Sequence, residues 1–286
     1  MITVYYGRAE QLVQKIGFDR CLNHLEERRK EKVLRTGDQI SQVRSLATGE
    51  LLHLAAWRYL RLTGALWEKS PEGSGERIGK GIAGRTAGVF SEDFKEMYAE
   101  GSADHTAKVF ETEVLTGGKP YFKDYPQVYF NLSHSADYVC CAIGNAPVGV
   151  DIQKHVPIKN GLAKRFFTED ENRLLNSLDA EEREILFFRM WSIKESYIKF
   201  TGGGIKQGLD TFRIDWQNGC IFDKGGSREC KAADDRGAQA GGQMSGAADG
   251  AKAYFEELQA IKGYSLSVCR QRLKTEIIWC NIEEEL

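Results

Sequence analysis

Apolar residues along the chain follow two periods, and the switches between them predict the order of elements. Met1-Ile2-Thr3-Val4-Tyr5-Tyr6 reads as an opening strand. Residues 18–34 then read as helical. A second helix is predicted over 39–61, where Val43, Leu46, Leu51, Leu54, Ala55 and finally Leu62 recur near helical spacing. From Gln127 the pattern becomes extended. Residues 128–130 and 138–143 predict paired strands, and Asn145-Ala146-Pro147 punctuates the chain before a strand over 148–152. Thr168-Glu169-Asp170-Glu171 spells a capping box that should start a helix running to about residue 178. The next helix spans 180–200 and stops at Thr201-Gly202-Gly203-Gly204, since glycine accepts the left-handed conformation at a helix end. Residues 254–258 and 264–269 predict a hairpin around Ala260-Ile261-Lys262-Gly263, with a last strand at 276–279. The pattern is α+β. Pro147 marks the expected boundary between an N-terminal lobe, 1–147, and a C-terminal lobe, 148–286.

Two stretches break the periodicity. Residues 68–113 are rich in Gly, Ser, Ala and charge and read as a flexible insertion. Residues 223–253 hold seven glycines and only Met244 among large apolar residues, too little apolar surface to offset their ordering entropy. A disordered insertion is expected there. Inside the first stretch, Gly79-Lys80-Gly81-Ile82-Ala83-Gly84 matches a dinucleotide fingerprint in letters only. No buried strand precedes it to aim a glycine turn at a helix N-terminus, so it reads as linker.

Composition narrows the classes. The 286 residues, 42% hydrophobic and 28% charged, can bury a sizeable core, and 39 basic against 41 acidic residues leave a net charge of -2. That balance gives no global pull toward nucleic acid or an anionic membrane, so any anion binding must be local. There is no apolar run long enough to span a bilayer and no signal-like N-terminus, which points to a cytoplasmic protein. Seven scattered cysteines without a CxxC pair read as reduced thiols.

The candidate chemistry sits on a strand and a helix some forty residues apart. In Gly149-Val150-Asp151-Ile152-Gln153, Asp151 and Gln153 share a face because side chains alternate with period 2. In Trp191-Ser192-Ile193-Lys194-Glu195-Ser196-Tyr197-Ile198-Lys199, Trp191, Glu195 and Lys199 share a helix face. Two carboxylates with a nearby ammonium suit a Mg2+-bound phosphate, because Mg2+ takes oxygen ligands and usually one or two carboxylates. Spacing alone also fits an exposed ion pair worth ~0.3–0.5 kcal/mol and an ordinary strand end, and by itself favours that plainer reading.

More blocks accompany these two: Gly118-Lys119-Pro120-Tyr121-Phe122, Phe130-Asn131-Leu132-Ser133-His134-Ser135 and Ala163-Lys164-Arg165-Phe166-Phe167. In order and spacing the set resembles the Sfp-type 4'-phosphopantetheinyl transferases, with weaker similarity over 29–52 and 254–269. The resemblance implies two similar αβ lobes with coenzyme A and a metal in the cleft between them. It implies transfer of 4'-phosphopantetheine from coenzyme A to a serine of an acyl or peptidyl carrier protein, releasing 3',5'-ADP, with Mg2+ as cofactor. Asp151 and Glu195 would ligate the metal, with Gln153 as a neutral neighbour where many relatives carry a second strand carboxylate. Glu195 would also serve as general base, and Lys199 would neutralise phosphate oxygen. Ser133 and His134 would face phosphate, Lys119 and Pro120 the adenine, and Arg29, Lys32, Arg44 and Ser45 the 3'-phosphate. The alternative is a catalytically weak paralogue that binds coenzyme A or the carrier, though such a protein would lack Glu195 or Lys199. A monomer without nucleic-acid or membrane partners is expected.

Overall fold

The computed structural model describes residues 1–64, 98, 109–115, 118–204, 207–224 and 251–284. Most of the stretches 68–113 and 223–253, and the glycine motif at 79–84 with them, lie outside these residues.

The chain opens with β1 (Ile2–Arg8), followed at once by α1 (Ala9–Ile16), which buries Leu12 and Val13. The helical stretch expected over 18–34 is two helices, α2 (Phe18–Asn23) and α3 (Glu27–Arg35). They part at His24-Leu25-Glu26, where buried Leu25 packs so closely on Gly49 that a Cβ there would lie 2.4 Å from its Cδ2. α4 (Gln39–Leu62) is capped by Asp38, whose carboxylate accepts from the Ser41 amide at 2.9 Å, and is buried almost all round from Leu46 to Leu60. β2 (Thr112–Val114) and β3 (Pro120–Phe122) form a short ribbon. β4 (Tyr129–Ser135), β5 (Tyr138–Gly144) and β6 (Val148–Lys154) follow.

Beyond β6 come α5 (Leu162–Phe166), α6 (Glu169–Asn176) and α7 (Ala180–Thr201). The Thr168–Glu171 capping box is formed in both directions, and Gly202 ends α7 at φ +73°. β7 (Phe212–Asp215), β8 (Cys220–Asp223), the expected hairpin of β9 (Ala251–Leu258) and β10 (Tyr264–Arg270), and β11 (Ile277–Asn281) complete the chain.

The strands form two main sheets, ordered β11-β1-β5-β4 and β6-β10-β9-β8-β7. Among the described residues all pairings are antiparallel except β1 with β11, through which the chain returns to the first sheet. The α+β class read from the sequence is what the elements form. Strand alternation assigns each side chain to a layer. Tyr5, Val139, Cys141 and Ile143 face α1 and α4, whereas Val4, Cys140 and Ala142 meet Val150, Ile152 and Val268 in an apolar seam between the sheets. On the far side of the second sheet, Phe187, Ile193 and Tyr197 of α7 pack with Ile221, Ala253 and Cys269.

Candidate active site

β6 positions the site by its alternation. Val148, Val150 and Ile152 are spent on the apolar seam, so Gly149, Asp151 and Gln153 face α7 and the cleft. Gly149 brings the helix in. A Cβ there would stand 2.0 Å from the Ser196 carbonyl oxygen and 2.4 Å from the Phe200 nitrogen, so only glycine allows this approach. Two residues further, the Ser192 hydroxyl donates to the Asp151 carbonyl at 2.8 Å and pins helix to strand. Glu195 and Lys199 thereby reach the Asp151 side chain.

Asp151 is buried, and its carboxylate is surrounded by donors. Lys199 Nζ donates to Oδ1 at 2.6 Å, the Ser133 hydroxyl donates to the same oxygen at 2.8 Å, and Gln153 Nε2 donates to Oδ2 at 2.9 Å. Lys199 also donates to Ser133 Oγ at 2.7 Å, so the three side chains close a ring. Glu195 differs: among the described residues its carboxylate has no hydrogen-bond partner. Burial, and then the negative charge of Asp151, raise its proton affinity, with Lys199 opposing. An unpartnered carboxylate beside a second one is a donor set that a hard divalent cation would satisfy with oxygen ligands alone.

Across the cleft the charge reverses. A cavity of about 640 Å³ opens between β6 with α7 on one side and α3 with α4 on the other, and Arg28, Arg29, Lys32 and Ser45 line its far wall. His134 stands between the walls. Burial lowers its pKa, and the charges of Arg44, Lys199 and Lys32 lower it further, which keeps the imidazole neutral near pH 7. Arg44 contributes from behind: its Nε is buried without a hydrogen-bond partner among the described residues. Arg29 pairs with Glu26 at 3.4 Å, and Glu26 in turn accepts from the Thr112 amide and hydroxyl. Several cations with few internal partners beside a neutral histidine make a receptor for a polyanion.

Of the residues expected from the sequence, Arg29, Lys32, Ser45, Pro120, Ser133, His134, Asp151, Gln153, Glu195 and Lys199 line this one cavity. Arg44 acts on it through its charge. Lys119 is turned elsewhere, its ammonium donating to the Val148 and Phe200 carbonyls at 2.9 and 3.2 Å, with a pKa lowered to about 8 by burial. It straps the start of β3 to β6 and the end of α7. Arg28, Thr48 and Thr112 line the cavity without having been anticipated; for Arg28 the reason is that nothing in a mixed-charge helix such as α3 marks which side chains turn inward. Lys194, five residues before Lys199, is not in the cleft. It is fully buried, pairs with Glu171 at 2.9 Å and donates to the Leu209 and Phe212 carbonyls at 2.7 Å, a structural anchor.

Comparison with known proteins locates the resemblance. Residues 147–269 match the 4'-phosphopantetheinyl transferase superfamily. The chain is 49% identical over 104 residues to the 4'-phosphopantetheinyl transferase psf-1 of Bacillus pumilus, covering 36% of this chain and 44% of that protein. It is 43% identical over 97 residues to the 4'-phosphopantetheinyl transferase Sfp of Bacillus subtilis (strain 168), covering 34% and 43%. A more distant match, 36% identical over 112 residues, is the L-aminoadipate-semialdehyde dehydrogenase-phosphopantetheinyl transferase of Xenopus laevis. The matches thus span less than half of these relatives. Over the matched segment the chain is similar to proteins named 4'-phosphopantetheinyl transferases. Asp151, Gln153, Glu195 and Lys199 lie within the residues that match the superfamily, whereas the far wall does not.

Proposed function

We propose that the protein transfers 4'-phosphopantetheine from coenzyme A to a serine hydroxyl of an acyl or peptidyl carrier protein, releasing 3',5'-ADP. The observation that carries this reading is the pairing, in one cleft, of a Glu195 beside Asp151 that has no hydrogen-bond partner among the described residues with a cationic far wall. Coenzyme A offers what such a cleft would take: a diphosphate for the carboxylate side once a cation is present, and a 3'-phosphate for Arg29, Lys32, Arg44 and Ser45.

In the reaction, the carrier serine oxygen forms a bond to the phosphorus that bears pantetheine, and the bond from that phosphorus to the oxygen of 3',5'-ADP breaks. Glu195 is the group to take the serine proton, since among the described residues its carboxylate has no hydrogen-bond partner and it lines the cleft. Asp151 and Glu195, with Gln153 beside them, would hold Mg2+, which would supply charge neutralisation on the diphosphate. Lys199 balances charge on the same side, within hydrogen-bond reach of Asp151 and Ser133. His134, neutral near pH 7, can donate one N–H to a phosphate oxygen without adding charge. Positioning and charge neutralisation carry most of the rate. A cytoplasmic setting and a monomeric chain complete the proposal.

Mass spectrometry of apo carrier proteins incubated with the enzyme, coenzyme A and Mg2+ tests this reading. A carrier that gains one phosphopantetheine only when all components are present is the expected result. No adduct on any carrier tested, or release of 3',5'-ADP from coenzyme A at full rate without a carrier, would replace it with a binding protein or a phosphohydrolase.

A further inference from the structure

Away from the cleft, α2 and α4 bury a second polar cluster that the reaction does not use. His24 follows the end of α2, and Glu50 and His53 lie one turn apart on α4, so that both can face it. All three are almost completely buried, at 7%, 0% and 3% exposure. His24 Nδ1 lies 3.0 and 2.9 Å from the two Glu50 carboxylate oxygens, and His53 Nδ1 is 3.9 Å from Oε1. The two imidazoles stack at 4.2 Å, and one donor atom from each of the three residues falls within 4.8 Å of the others. Tyr98 donates its hydroxyl to Glu50 Oε1.

A carboxylate with no exposure is either neutralised or held by close partners, since an isolated buried charge costs far more than a protein's net stability. Among the described residues, no lysine or arginine forms an ion pair with Glu50. The imidazoles beside it can share its charge as hydrogen-bond donors or, with it, enclose a metal ion. Two neutral imidazoles and one carboxylate form a donor set that Zn2+ takes readily, and four ligands at ~2.1 Å around it stand about 3.4 Å apart. The separations of 3.0 and 3.9 Å bracket that value. Next to the cluster, a cavity of about 20 Å³ bounded in part by His24, His53 and Phe110 has room for a single water as fourth ligand. Imidazole nitrogens make the set a poor one for Mg2+, which prefers oxygen throughout.

We propose that His24, Glu50 and His53 form a buried structural site for a divalent transition metal of the zinc class, fastening the end of α2 to α4. The site lies behind the cationic wall. Two residues after His24, Glu26 holds Arg29 and Thr112, so a metal at His24 would brace the segment that presents Arg29 to the cleft.

Metal analysis of the whole chain, purified without a metal-affinity tag, tests the proposal. About one equivalent of zinc is expected, and it should persist in the Asp151→Ala, Glu195→Ala double variant. It should be lost in His53→Gln and Glu50→Gln. Cobalt loaded in its place should give visible d–d absorption of a site with nitrogen ligands. A zinc-selective chelator, added with Mg2+ in excess, should lower the melting temperature of the wild-type protein but not of His53→Gln. The chelation and cobalt measurements use the unaltered protein, so they decide the matter even if a variant fails to fold. Absence of bound zinc and of the cobalt spectrum, with a melting temperature indifferent to the chelator, would overturn the site and leave a protonated imidazole as the partner of Glu50. Zinc lost in the Asp151→Ala, Glu195→Ala variant and kept in His53→Gln would place the metal in the cleft instead and overturn it equally.

Discussion

On the wall built from β6 and α7, polar side chains hold one another: Lys199, Ser133 and Gln153 all donate to Asp151, and Ser192 ties the helix to the strand. On the wall built from α3 and α4, cations stand with few partners, and Arg44 buries an Nε that nothing among the described residues accepts. The first wall is organised before any ligand arrives. The second has charge in reserve. Preorganised groups act on a transition state, whereas unsatisfied cations gain most from binding an anion in the ground state, so the two walls should divide rate from affinity. Substitutions can break or sharpen that division.

The largest effect is expected from Gly149→Ala. Its Cβ would stand 2.0 Å from the Ser196 carbonyl, so α7 must move off β6, at a cost near or above the upper end of the ~1–3 kcal/mol typical of overpacking. A fall in the unfolding midpoint together with loss of transfer is expected. A variant that kept both would show that the close contact is unimportant to the first wall.

A smaller and more selective effect is expected on the opposite side. Arg44→Ala should raise the KM for coenzyme A about tenfold, equivalent to ~1.4 kcal/mol, with kcat little changed. Steady-state kinetics at fixed carrier concentration would read the split. If kcat fell and KM stayed put, the walls would not divide their work as described.

Gln153→Glu sharpens the first wall alone. The amide now donates to Asp151, so a carboxylate in its place repels Asp151 when no cation is present and attracts a cation when one is. The variant should melt lower without Mg2+, gain more from adding it, and need several-fold less Mg2+ for half its maximal rate. A melting temperature unaffected by Mg2+ in both proteins would argue against a cation between Asp151 and Glu195.

The smallest effect concerns pH. Burial and the nearby Arg44, Lys199 and Lys32 depress the His134 pKa below 6.5, so the ring gains its proton only in more acidic solution. Bound phosphate favours the protonated ring. The affinity for 3',5'-ADP should therefore rise as pH falls through the His134 pKa of the complex and level off below that of the free protein, and the His134 pKa measured by NMR should move up when the ligand binds or when Arg44 is replaced by alanine. A His134 pKa that ignored both would remove the residue from the anion site.

The sequence exposed these regions unequally, for physical reasons. Asp151, Gln153, Glu195 and Lys199 sit on one regular strand and one regular helix, where periods of 2 and 3.6 decide facing directly, and Gln153 does reach Asp151. The capping box at Thr168 and the glycine stop at Gly202 were legible because each is a local bond or a local backbone angle. Long-range features were not. Lys194 and Lys199 look alike in the chain, and only the packing of Glu171 against α7 shows that the first is an anchor. The Lys119 ammonium turns to carbonyls on two other elements, and the break between α2 and α3 depends on how Leu25 meets Gly49, neither of which periodicity encodes. β7 and β8 are four residues each, too short to display an alternation of their own.

Glu195→Gln isolates the role of this carboxylate, because it removes the proton acceptor and one carboxylate charge while keeping shape. Single-turnover transfer from coenzyme A to an apo carrier, measured beside a thermal melt and a coenzyme A binding isotherm, is the measurement. An unchanged melt, retained binding of coenzyme A and a transfer rate at least tenfold lower are expected, a loss of ~1.4 kcal/mol or more of transition-state stabilisation. Transfer at more than about a tenth of the wild-type rate in a folded variant that binds coenzyme A would contradict the role given to Glu195.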